Sequence, residues 1–151
     1  MNKLNENIVL LYNKWKENYM RKENRKFTYN TDFGKVTGVE INKTITIDGN
    51  GHKLDGASAS RVLYITGSNV ILKNINIING NHATGGAMQW QGTFGQALNC
   101  NFTNSYTTTN GIVYWDGQYG NMENARFVDN RAVRTASSGY IYGTLYWVGA
   151  D

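Results

Sequence analysis

One step length governs most of this chain. Asn74, Asn99 and Asn124 stand 25 residues apart, and Ile77, Phe102 and Phe127 keep the same interval. Laying 70–92 over 95–117 and 120–142 aligns further columns: Ile75, Cys100 and Ala125; Met88 and Val113; Trp90, Trp115 and Tyr140; Gly92 and Gly117; Gly95 and Gly120. The stretch 43–67 fits more loosely, with "TITIDGNG" where the next copy reads "VILKNINI". A unit this small cannot bury an apolar face alone, so the copies must stack on one another.

What fills each copy decides the architecture. From Phe27 onward, short alternating runs such as "RVLYITG", "VILKNINI", "GIVYWDG" and "SGYIYG" lie between glycines and asparagines. They read as strands joined by tight turns, and no sustained helical spacing interrupts them. A propeller blade needs a longer period. A leucine-rich repeat would place Leu at most apolar positions and a regular segment outside, whereas here the rest of each copy is another strand. The expected fold is mostly β: a right-handed parallel β-helix of about four 25-residue turns, occupying residues 27–151.

Residues 1–26 differ in character. Leu4, Ile8, Leu11, Tyr12, Trp15 and Tyr19 form one apolar stripe at helical spacing, which predicts an amphipathic helix over 4–20 followed by a charged linker. Placed over the first turn, such a helix would cap strand edges that otherwise invite aggregation. At the other end "GYIYGTLYWVGAD" carries no charged or helical cap, so either the strand folds across the end, or the end pairs with another chain, or the natural protein continues; the aromatic residues make self-association an expectation to test.

Charge is equally uneven. The net charge of +4 lies within residues 1–26, where seven Lys/Arg meet three Glu; the remainder holds eight of each sign. A folded domain without a basic stripe argues against nucleic-acid binding. No apolar run is long enough to span a membrane, and no signal peptide is evident. The single cysteine, Cys100, excludes an internal disulfide and aligns with Ile75 and Ala125 as a small core residue.

In a stack of turns, equivalent residues sit about 4.8 Å apart, the spacing of hydrogen-bonded strands. The column Asn74, Asn99 and Asn124 is therefore expected to form an inward-facing, buried amide ladder, in which each rung satisfies groups whose burial would otherwise cost about 1–3 kcal/mol. The column Trp90, Trp115 and Tyr140 is expected in the core, because Met88 and Val113 share its face. The opposite face of the same strand offers Gln89, Tyr114 and Asp116 as ligand-face candidates.

The acidic residues after residue 26 form no facing pair of the kind that glycoside hydrolysis uses. No cluster suits calcium, and no phosphate loop or cofactor motif is present. His52 and His82 lie off the repeat and read as surface residues. No catalytic, metal-binding or cofactor-binding residue is assigned. Two sequons occur, at Asn42 and Asn101. Ice binding would need threonine columns, and "TIT" (44–46) and "TTTN" (107–110) do not stack.

The segments "GVEINKTITIDGNGHKLDG", "NVILKNINIING", "GGAMQWQGTFGQALNCNFTNS" and "GIVYWDGQYGNMENARFVDNRA" together resemble the adhesin-like proteins of methanogenic archaea. More distantly, "GGAM" and "FVDN" (127–130) are similar to the repeats of chlamydial polymorphic membrane proteins. The resemblance spans about residues 27–134. It implies a parallel β-helix displayed outside the cell or at its surface, attaching to a surface protein or polysaccharide without catalysis. A small carbohydrate-active enzyme on the same fold, a lyase or hydrolase, is the alternative, since fold alone does not separate the two.

Overall fold

The structure, a computed structural model, describes residues 38–135 and 143–149. The helix expected over 4–20, and with it the division at residue 26, lies outside these residues, as does Tyr140.

Fifteen short strands follow one another around a coil. The first turn holds β1 (Val39–Ile41), β2 (Thr46–Asp48) and β3 (Lys53–Asp55); the second β4 (Leu63–Ile65), β5 (Ile71–Lys73) and β6 (Asn76–Ile78). The third holds β7 (Met88–Trp90), β8 (Gln96–Leu98), β9 (Asn101–Thr103) and β10 (Tyr106–Thr107). The fourth holds β11 (Val113–Trp115), β12 (Asn121–Glu123), β13 (Arg126–Val128) and β14 (Arg131–Ala132), and β15 (Leu145–Trp147) begins a fifth. Every pairing is parallel. Each strand lies on its equivalent from the neighbouring turn, giving sheets β1-β4-β7-β11-β15, β2-β5-β8-β12, β3-β6-β9-β13 and β10-β14. The chain is a parallel β-helix of four turns, and no helix occurs among the described residues.

Register makes the repeat concrete. Leu63 lies beside Met88, and Met88 beside Val113, each a step of 25. The first turn is less regular: Val39 pairs with Leu63 and Lys53 with Asn76, steps of 24 and 23. The last step differs most. Val113 pairs with Leu145 and Trp115 with Trp147, so the interval lengthens to 32. The third tryptophan-column member is thus Trp147, and the alignment that put Tyr140 there is corrected: extra residues between β14 and β15 displace the register.

The core is built from inward positions of successive rungs. Trp90, Trp115, Phe102, Ile77 and Leu72 are all fully buried. Trp90 stacks on Trp115 with ring centroids 4.1 Å apart, Trp115 on Trp147 at 4.6 Å, and Phe102 on Phe127 at 5.0 Å. Such flat rings fit the strand spacing, so equivalent aromatics on neighbouring turns stack directly on one another. Each indole also constrains the chain five residues on. A Cβ on Gly95 would fall on the Trp90 indole nitrogen, and one on Gly120 on that of Trp115. In the second turn the same two positions are Ile65 and Val70, both buried: a smaller ring-side residue is matched by a larger partner.

Candidate functional site

Strand alternation turns one row of side chains outward from the five-stranded sheet. In register these are Glu40, Tyr64, Gln89, Tyr114 and Tyr146. Two residues further along the chain the same face carries Thr66, Gln91, Asp116 and Val148, of which all but Thr66 are exposed. The ligand-face candidates Gln89, Tyr114 and Asp116 therefore lie on one outer face, with Gln89 and Tyr114 half-buried.

The face is cross-linked between rungs. Tyr64 donates its hydroxyl proton to Gln91 Oε1, and Thr66 Oγ1 donates to Glu40 Oε1 at 3.1 Å. The Tyr114 and Tyr146 rings stack at 5.4 Å. Burial, reinforced by the Asp116 carboxylate, pushes the Tyr114 phenol above its ordinary value. At the sheet margin the Arg61 guanidinium lies 5.6 Å from the centre of the Tyr64 ring. Its Nε donates to the Gly85 carbonyl at 3.1 Å, and its Nη2 lies 2.7 Å from His82 Nδ1. That nitrogen also lies 3.1 Å from the Thr84 amide nitrogen and 2.9 Å from the Thr84 carbonyl oxygen. His82 is exposed, as its off-repeat position suggested, and is held there by Arg61.

Asparagines occupy the corners. Asn99 Nδ2 donates to Asn74 Oδ1 at 3.1 Å, and Asn124 Nδ2 to Asn99 Oδ1 at 3.0 Å. Asn74 in turn donates to Asp48 Oδ1 at 3.0 Å. A parallel series runs from Asn104 to Asn79 and on to Asp55, at 2.7 and 2.9 Å. Both series point toward the first turn and end on an aspartate, which can only accept. Burial alone would raise the Asp48 carboxyl, but the bonds from Asn74, the Asn50 amide and Lys73 outweigh it and hold the group below the ordinary range.

The position of this ladder corrects the expectation of a buried one. Asn99 and Asn124 are exposed and Asn74 is half-buried. All three have positive φ, at 53°, 53° and 51°. In that conformation the asparagine turns outward at the corner, and the next residue, Ile75, Cys100 or Ala125, turns into the core. The register is unaffected. Cys100 is fully buried, and burial pushes its thiol up to about 11. Of the two sequon asparagines, Asn42 is exposed, whereas Asn101 donates to Asn76 Oδ1 at 2.6 Å.

One feature escaped the sequence reading. At the corner leaving the five-stranded sheet, the positive-φ position is Asn69 in the second turn but Phe94 in the third and Tyr119 in the fourth, at 55°, 54° and 55°. Asparagine adopts this conformation readily; for a bulky residue it costs about 1–2 kcal/mol. The two rings stack at 4.8 Å and remain 52% and 51% exposed. A stacked aromatic pair returns roughly 0.5–1.5 kcal/mol, less than the two strained backbones require. The recurring aromatic directly before Gly95 and Gly120 was the available signal.

Among the described residues no group of three His, Cys, Asp or Glu is placed to hold a metal ion, and no helix is long and apolar enough to cross a membrane. No family model matches the chain, and no curated protein or solved structure matches it. The likeness to adhesin-like repeats therefore rests on the motifs themselves.

Proposed function

We propose that the chain is a non-catalytic, adhesin-like binding module acting outside the cell or at its surface, with a polysaccharide as its partner. The observation that carries this reading is the outward row Tyr64, Gln89, Tyr114 and Tyr146, one polar-tipped side chain per rung on a single face. Rungs repeat every ~4.8 Å, close to the length of one sugar in an extended glycan. A polymer running along the coil axis would meet a hydroxyl or carboxamide at each unit. Phenols and amides suit hydroxyl-rich ligands, since each can both donate and accept.

The test is native affinity electrophoresis of the full chain in gels containing a β-glucan, xylan, mannan or polygalacturonate. Retardation by at least one polymer is expected. The double variant Gln89→Ala, Tyr114→Ala should weaken that retardation at least tenfold while keeping the melting transition. Prolonged incubation with the retarding polymer should release no new reducing ends or unsaturated products. Their release would favour the lyase or hydrolase reading and overturn this one.

A further inference from the structure

We infer that the Phe94–Tyr119 corner is a ring-stacking subsite for a neutral sugar, continuous with the outer face of the five-stranded sheet. The inference rests on the glycan-binding reading and extends it by naming the residues that select the sugar. Four observations converge. Phe94 and Tyr119 are the exposed aromatic residues among those described, each about half exposed. The rings are stacked on each other, so each shields one face of its neighbour and leaves the remainder to a ligand. Both stand at a backbone position that asparagine fills in the second turn, and the stack returns less than that conformation takes. Strain of this kind, retained on the surface, marks positions where the side chain is needed for something beyond folding.

The surroundings choose the occupant. Between the outward row and the corner lie Gln91, Thr93, Asp116 and Gln118, with Ser68 and Asn69 on the adjoining rung. Thr93 Oγ1 donates to Ser68 Oγ at 2.9 Å, extending a hydroxyl row that Thr44 Oγ1 continues to the Ser68 carbonyl, also at 2.9 Å. Carboxamides and hydroxyls beside a planar apolar surface match a pyranose, which has an apolar C–H face and a rim of hydroxyls. A membrane surface would call for a cationic rim, and here the charge nearest the rings in sequence is the Asp116 carboxylate.

The decisive variant restores the residue type of the preceding turn: Phe94→Asn with Tyr119→Asn, in the full chain, alongside Gln89→Ala with Tyr114→Ala. The corner variant should melt at the same temperature as the parent or higher, and lose at least tenfold in affinity for the retarding neutral polysaccharide. Loss in both variants supports the inference. Loss only in the sheet variant overturns the subsite and leaves the glycan-binding face standing. Loss only in the corner variant keeps the subsite and removes the sheet face from the reading. A parent chain retarded by none of the polymers overturns both. A corner variant that melts well below the parent shows the aromatic pair to be a structural clamp and overturns the inference, whatever happens to binding.

Discussion

At the scale of the residue, the corner asparagines combine two roles that can be separated. One is conformational: asparagine tolerates positive φ better than other residues bearing a Cβ, except aspartate. The other is the hydrogen-bonded series across rungs. Asn99→Ala removes both, since alanine is strained at φ 53° and cannot join Asn74 to Asn124. Asn99→Gly removes only the series, because glycine adopts this backbone freely. Exposed amide bonds contribute near the low end of about 0.5–1.5 kcal/mol each. The alanine variant should therefore lose about 2 kcal/mol in urea unfolding and the glycine variant about 1 kcal/mol less. Equal losses would mean that the backbone conformation is irrelevant and the ladder alone matters.

At the scale of the element, the pairing of ring size with the residue five places on explains how one coil accommodates different rungs. Gly95→Ala drives a methyl group into the Trp90 indole, which overpacking data place at about 1–3 kcal/mol. Replacing the pair together, Trp90→Ile with Gly95→Val, copies the Ile65–Val70 rung beneath it. It also removes the Trp90 indole N–H, which is buried without a partner. The double variant should recover most of the loss seen for Gly95→Ala in thermal melts; if it melts lower still, the rungs do not adjust by this exchange. The same elements mark how far the sequence could be read. Step length, strand alternation and the inward tryptophans were legible because stacking forces equal spacing wherever turns are equal. Trp147 was not, because a constant step of 25 led to another aromatic, Tyr140, and nothing local announces a longer turn. The ladder asparagines were recognised as a stack, but stacking cannot tell the inside of a corner from the outside. Asparagine's tolerance of positive φ could have done so. The outward row was legible in part, through Gln89, Tyr114 and Asp116, while Phe94 and Tyr119 were passed over because bulky aromatics are not expected at left-handed corners.

At the scale of the whole molecule, every described strand pairing joins equivalent positions on neighbouring turns, so stability is transmitted along one axis. Burial is graded along that axis. In the second and third turns Ile65, Leu72, Ile77, Trp90, Ala97 and Phe102 are fully covered. In the first turn Val39, Ile41, Ile47 and Leu54 are only partly so, and the same holds for Met122, Phe127 and Trp147 at the far end. Among the described strands, β1 to β3 and β12 to β15 pair on one side only and β4 to β9 on both, so opening is expected to begin at the outer strands. Amide hydrogen exchange should therefore be slowest in β4 to β9, where strands pair on both sides and core side chains are covered. It should be faster in β1 to β3 and in β12 to β15, with protection falling rung by rung toward either end. Uniform protection over residues 38–135 would indicate a single all-or-none unit in which the rungs have no separate stabilities. A glycan bridging several rungs of the outer face should flatten the gradient, slowing exchange most in those β11 and β15 amides that it covers.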